Sequence, residues 1–102
     1  MNTLILEREP LAVSVEVTKS DLVVRLTDGR TLTVPLHWYP RLTHASVDER
    51  HNWRLLGDGY AIEWPDLDEH IGVEGLFAGR PSGESERSFQ RWIAERNAAS
   101  TV

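Results

Sequence analysis

Residues 13–35 read VSVEVTKSDLVVRLTDGRTLTVP, and their alternation decides the fold. Val13, Val15 and Val17 alternate with Ser14, Glu16 and Thr18. Leu22, Val24 and Leu26 alternate with Val23, Arg25 and Thr27, and Leu32 and Val34 with Thr31 and Thr33. A period of two marks a strand buried on one face, so the stretch predicts a three-stranded antiparallel meander. The register follows, because directly opposed residues share a face. A two-residue loop at Asp28-Gly29 would set Leu26 against Thr31 and mix the faces. A three-residue loop, Thr27-Asp28-Gly29, sets Leu26 against Arg30, Val24 against Leu32 and Leu22 against Val34. Gly29 then takes the left-handed conformation that ends such loops. A four-residue loop, Thr18 to Asp21, sets Val17 against Leu22, Val15 against Val24 and Val13 against Leu26.

Downstream, Pro35 ends the third strand, since proline cannot donate to a ladder. Leu36 to Pro40 cross over, and Pro40 suits the first turn of a helix. Ser46-Val47-Asp48-Glu49 reads as a capping box, which predicts one broken helix or two short ones over 40–52. Trp53 and Leu55 face Tyr60, Ile62 and Trp64 in a second hairpin, with Leu55 opposite Tyr60 and Trp53 opposite Ile62. Pro65 stops that strand, and residues 66–71 read as an acidic loop or turn. Val73 to Ala78 predict a short helix ended by Gly79. Pro81 to Glu84 form a linker, and Ser85 caps a last helix over 86–97. Phe89, Trp92 and Ile93 share one face of it. Ala98 to Val102 are expected to fray, and residues 1–10 are a lead-in where Leu4 to Leu6 could add a short strand.

The fold class is therefore α+β: a meander, a second hairpin, short crossover helices and a C-terminal helix. The chain has 102 residues, 40% apolar and 26% charged, with seven glycines and five prolines. That suits one globular domain over 1–102, with a core at 11–79 and a linker and helix at 80–102. There is no cysteine, which excludes disulfides, thiolate nucleophiles and Cys-based zinc sites. No apolar run approaches a bilayer span and no signal peptide pattern opens the chain, so a cytoplasmic protein is expected. A net charge of −5 opposes contact with nucleic acid or an anionic membrane.

One long string carries a resemblance. It runs Gly29-Arg30, Val34-Pro35-Leu36, Trp38-Tyr39-Pro40-Arg41-Leu42, Ala45, Glu49-Arg50, Asn52-Trp53, Gly57 and Gly59. It closes with Ile62, Trp64-Pro65, Leu67-Asp68-Glu69, Ile71, Gly75-Leu76 and Gly79. Over residues 12–79 the chain resembles a bacterial family of small domains of unknown function, which stand alone or precede a helix-turn-helix domain. The resemblance implies a small α+β domain with antiparallel sheet and no particular reaction. Members are encoded beside another small domain in what looks like a toxin–antitoxin arrangement, which implies a regulatory, antitoxin-like partner-binding role. This chain departs from the pattern at Glu63, where a His is common, and at His70, where an acidic residue is common. Residues 80–102 are too short for a helix-turn-helix, so DNA binding does not carry over.

Asp66, Asp68 and Glu69, with Glu63 and His70 beside them, offer oxygen ligands for Mg²⁺ or Ca²⁺ but lack calcium-loop spacing. A solvated acidic turn, with Asp66 or Asp68 capping the next helix, is the plainer expectation. His37, His44 and His51 recur every seven residues, a spacing broken by the prolines and unlike zinc pairs. Arg41, Arg50 and Arg54 lie near Trp38, Tyr39 and Trp53. Pairing of Arg41 and Arg50 with Asp48, Glu49 or Asp68, fixing the crossover, outweighs base stacking. The tryptophans are expected in core and rim. No serine lies in a nucleophile elbow, and no Gly-rich phosphate loop is present.

The expectation is a non-enzymatic interaction or regulatory module without catalytic residues, metal or cofactor. Trp38, Tyr39, Arg41, Arg50, Asp66, Asp68, Glu69 and Trp92 are its candidate binding residues, and another protein or a second copy is its partner. The last helix should dock on its own meander. The alternative is an enzyme that binds a small ligand or a metal with the acidic 63–70 loop, in a cleft beside the crossover that holds carboxylates of raised pKa.

Overall fold

The computed structural model describes residues 10–100. The expected strand at Leu4–Leu6 lies outside them. The meander forms as β1 (Ala12–Val17), β2 (Asp21–Leu26) and β3 (Thr31–Pro35), hydrogen-bonded in that order. Val15 pairs with Val24, Val17 with Leu22, Leu22 with Val34 and Val24 with Leu32, in the register the alternation dictates. The Leu26 N–H donates to Arg30 O at 2.9 Å and Gly29 N–H to Leu26 O at 3.1 Å, closing the three-residue loop with Gly29 at φ +91°.

Val13 breaks the expectation. A bulge between Ala12 and Ser14 makes Ala12 the partner of Leu26, and Val13 is 52% exposed. The cause lies outside the meander: Ala12 N–H donates to Gly59 O at 2.8 Å. The Gly59 backbone comes so close that a Cβ there would meet Ala12 O at 2.4 Å. The small Ala12 fits under this contact, and the bulge turns Val13 outward.

A 3-10 turn (Leu36–Trp38) leads to the crossover helices α1 (Pro40–His44) and α2 (Val47–His51). The capping box of α2 is complete: Glu49 N–H donates to Ser46 Oγ at 3.1 Å and Ser46 N–H to Glu49 Oε1 at 2.9 Å. The second hairpin joins β4 (Arg54–Leu56) and β5 (Ala61–Trp64), two residues out of the expected register. Leu55 pairs with Ile62 and Arg54 with Glu63. Tyr60 is 52% exposed rather than on the core face. Its flanks explain this: Gly59 O is held by Ala12, and Tyr60 O accepts Val73 N–H at 2.9 Å, so the loop takes in Tyr60.

The acidic loop also differs from expectation. After a 3-10 turn (Pro65–Leu67), Asp68 sits in the left-handed region at φ 51° and Glu69–Gly72 forms β6, antiparallel to β5. The second sheet is thus three-stranded, in the order β4-β5-β6. The short helix follows as α3 (Val73–Phe77), with Gly72 as an N-cap that makes no side-chain bond. Neither Asp66 nor Asp68 caps it.

The last helix, α4 (Glu86–Ser100), begins where expected, with Ser85 Oγ accepting Ser88 N–H at 3.0 Å. It runs past Ala98 to Ser100, where fraying was expected; residues 101 and 102 lie outside the description.

One buried cluster draws on every layer: Val15, Leu22, Val24 and Val34 from the first sheet, Leu36 and Leu42 from the crossover, Ile62, Trp64 and Ile71 from the second, and Leu76 from α3. Trp64 is fully buried, and its indole N–H donates to Arg50 O at 3.1 Å. Trp38, Trp53 and Trp92 pack partly buried against this core.

Candidate functional site

Two places bring candidate residues together, and Arg41 on α1 joins them. Its Nε donates to Glu84 Oε1 at 2.9 Å, its Nη2 to Glu84 Oε2 at 2.5 Å, and its Nη1 to Leu67 O at 2.9 Å. This fork geometry suits a guanidinium. The hydrogen bonds from Arg41 hold the Glu84 carboxyl below its ordinary value, helped by Ser88 Oγ at 2.7 Å, and Glu84 raises Arg41 in return. Arg41 therefore ties three segments together: the crossover, the turn before β6, and the strap from Arg80 to Ser85.

The first place is a cleft of about 280 Å³ beside β6, lined by Tyr39, Glu69, His70, Gly75 and Ser82 among others. A wider depression of about 520 Å³ adjoins it through Glu69, His70 and Ser82 and reaches Arg41 and Glu84. Tyr39 is buried, and its hydroxyl donates to Arg80 O at 3.3 Å. Burial, and then the nearby Glu69 charge, push its pKa up. Glu69 is pushed up to about 7, mainly by burial; the Glu84 and Asp68 charges add to this and Arg41 opposes it. A carboxyl in that range exchanges a proton with solvent near neutrality. The hydroxyls around it are engaged: Ser82 Oγ accepts Glu84 N–H at 3.1 Å, and Ser88 Oγ donates to Glu84.

Asp66 and Glu63 turn away from this cleft, while Asp68 stands on the rim of the wider depression. Asp66 accepts from Asn52 Nδ2 at 2.9 Å, and Glu63 accepts from Arg54 Nε at 2.7 Å across the β4–β5 pair. The side chain of Asp68 faces solvent. Among the described residues, no group of three or more His, Asp or Glu is placed to hold a metal ion.

The second place is the face of α1 and α2 on which α4 rests. Two guanidiniums lie over the Trp92 ring, Arg41 at 5.1 Å and Arg96 at 4.5 Å from its centroid. Stacking of this kind stabilises by about 0.5–1 kcal/mol at an exposed site. His44 meets Trp92 and Phe89 edge to face, at 5.7 and 6.3 Å between centroids. Arg96 completes the attachment with a fork onto Glu49, both bonds 2.9 Å. These bonds hold Glu49 down at about 2. The helix thus docks on the crossover rather than on the meander. Its strap dictates this, because Ser82 N–H donates to Trp38 O at 3.0 Å and Glu84 is held by Arg41.

Of the expected binding residues, Tyr39, Arg41, Asp68 and Glu69 gather at the cleft and its rim, and Trp92 joins Arg41 on the helix face. Trp38 supports the strap through its carbonyl. Arg50 stands apart, donating to Leu42 O at 3.0 Å and Thr43 O at 2.9 Å, where it closes the end of α1. Both arginines brace the crossover, but through Glu84 and backbone carbonyls, that of Asp68 included at 3.3 Å from Arg41 Nη1, rather than through the carboxylates of Asp48, Glu49 or Asp68. Glu84 and Arg96 were not singled out from the sequence. Arg96 follows Trp92 by one helical turn and shares its face, a signal that was there to read. Glu84 lies 43 residues from Arg41 in a linker, and no local pattern points to it.

Comparison with known proteins agrees with this architecture. The model of a family described as protein of unknown function (DUF2442) matches residues 12–82. A protein of unknown function from Rhodospirillum rubrum ATCC 11170 superposes with a TM-score of 0.66 at 29% identity, covering 76% of this chain and 95% of that one. An uncharacterised protein from Chromobacterium violaceum superposes with a TM-score of 0.62 at 22% identity, covering 92% of this chain and 82% of that one. No curated protein matches the chain. Among the described residues, no helix is long and apolar enough to cross a membrane.

Proposed function

The chain belongs to the DUF2442 family of proteins of unknown function, and on that premise we propose that it is a non-enzymatic interaction module that regulates a protein partner. One observation carries this reading: the α1–α2 face already binds an amphipathic helix through side chains. Arg41 and Arg96 both lie over the Trp92 ring there, and Arg96 is forked onto Glu49. A surface with an aromatic seat flanked by charged clamps has the make-up of a helix-binding groove. The charged residues an enzyme would need are mostly engaged inside the fold: Arg41 and Arg50 on carbonyls, Asp66 on Asn52, Glu63 on Arg54. An antitoxin-like role in a two-gene pair is the specific form of this module that the family resemblance implies.

In host lysate, the tagged chain should elute well above its own 11.6 kDa together with one stoichiometric polypeptide. The purified pair should show a dissociation constant of about 1 μM or tighter by calorimetry. Elution as a lone monomer overturns the reading. A second reading, a small-ligand site, is favoured by Glu69 alone, raised to about 7 in its cleft. Binding heat from Mg²⁺, Ca²⁺ or Zn²⁺ that vanishes in Glu69→Gln would move the assignment there.

A further inference from the structure

We propose that the cleft between the free edge of β6 and the strap from Arg80 to Ser85 binds a short peptide in extended form, its ammonium end held by Glu69 and its carboxylate end by Arg80. The inference rests on the small-ligand reading of this cleft and names the class of ligand.

The backbone supplies the first part of the site. β6 is an edge strand, paired with β5 alone. Val73 N–H donates to Tyr60 O at 2.9 Å, and Ile71 pairs with Ile62 in the same register. Hydrogen-bonded pairs of an antiparallel ladder fall on every second residue. The N–H and C=O of His70 and the N–H of Gly72 therefore point away from β5, and both residues line the cleft. A Cβ at Gly72 would meet nothing within 4 Å, so the edge is uncovered there. The His70 N–H leans on the Glu69 carboxyl, which an arriving ammonium engages instead. A peptide laid parallel to β6 then accepts from His70 N–H with the carbonyl of its first residue. It donates to His70 O with the N–H of its third.

The charges supply the direction. Arg41 and Glu84 neutralise each other, with side chains 14% and 10% exposed. Among the described residues, neither Glu69 nor Arg80 has a salt bridge. The Arg80 guanidinium lies beside Gly75, its Nη2 3.9 Å from where a Cβ would stand. Glu69 borders the wider depression as well, whereas Gly72, Gly75 and Arg80 border the first cleft alone. An acid and a base without salt bridges thus stand toward opposite ends of the cleft. They complement a zwitterion, with its amine at the start of β6 and its carboxylate at the end. The size agrees. Glu69 to Gly72 span roughly 10 Å of strand, and an extended tripeptide covers about the same. At about 280 Å³ the cleft is at the small end for ligand pockets.

Trialanine is the probe and the full chain the receptor. The pH is about 7.5, where Glu69 is mostly ionised and the peptide amine, with a pKa of about 8, is mostly charged. Assigned amide NMR spectra should show saturable shifts at His70, Gly72 and Gly75, with a dissociation constant of about 1 mM or tighter. N-acetylation or C-amidation of the peptide should each weaken binding about five-fold. Glu69→Gln should bind the free and the acetylated peptide equally, and Arg80→Gln the free and the amidated one, because each variant removes the group that reads that end. Absence of shifts at these amides overturns the proposal, as does binding that capping leaves unchanged. If Mg²⁺, Ca²⁺ or Zn²⁺ then gives heat that vanishes in Glu69→Gln, the small-ligand reading stands and only the peptide assignment falls.

Discussion

The two sheets have the same strand order and the same antiparallel pairing, yet they are held in register by different means. The first has strands of five or six residues whose alternation, together with the loop at Gly29, sets every pair but one. The second has strands of three or four residues. Its register is imposed from outside: Ala12 holds Gly59, Val73 holds Tyr60, and the Arg50 carbonyl holds Trp64. A long amphipathic strand contains enough period-two signal to exclude a slip, because a one-residue slip exposes its whole apolar face. A three-residue strand does not, and a slip by two keeps the same face inward. The one misplaced residue of the first sheet, Val13, lies where the two sheets touch.

The largest test of this difference compares two glycines of positive φ. Gly59→Ala places a Cβ 2.4 Å from Ala12 O at φ +112°, whereas Gly29→Ala meets open space at φ +91°. Gly59→Ala should cost about 3 kcal/mol or more. Gly29→Ala should cost about 1 kcal/mol, from backbone strain alone. Denaturant midpoints measure both, and equal losses would mean that the contact between the sheets does not position the second one.

A somewhat smaller effect is expected at the other external support. Trp64→Phe removes the indole N–H from Arg50 O and leaves a void in the core. The expected loss is about 2–3 kcal/mol. Amide exchange should rise more in β4 to β6 than in β1 to β3. Uniform acceleration would mean that the sheets do not differ in this way.

The smallest effect is a pH slope that belongs to the second sheet. Glu69, at the start of β6, is raised from 4.5 to about 7, so between those values the folded chain binds more protons than the unfolded one. Stability must then fall as pH rises through that window, and the contribution is gone above it. Partial solvent exposure reduces the effect to about 1–2 kcal/mol. Glu49, lowered from 4.5 to about 2, acts on the acid side: its contribution is complete above 4.5 and lost as pH falls toward 2. Stability should therefore peak near pH 4.5–5, and Glu69→Gln should flatten the decline above that peak. An unchanged slope in this variant would remove Glu69 as its source.

The residues themselves show what was readable. The meander, its Gly29 loop, the Ser46–Glu49 capping box and the start of the last helix at Ser85 all follow from patterns spanning a few residues. Side-chain periodicity, loop closure and capping are local interactions, and a local interaction leaves a local trace in the sequence. The family resemblance could be read for a similar reason, since it rests on an ordered string of such residues.

Only the tertiary structure decided the bulge at Val13, the two-residue shift of the second hairpin, the sixth strand at Glu69–Gly72 and the seat of the last helix. The same holds for the candidate sites. That Arg41 would turn from the crossover to Glu84, that Glu69 would be buried far enough to reach about 7, and that Trp92 would meet two guanidiniums over its ring all depend on partners brought together by the fold. The physical reason is common to all of them. Desolvation, ion pairing and backbone close approach are set by distance in space, and spacing along a chain does not encode that distance until the chain has folded.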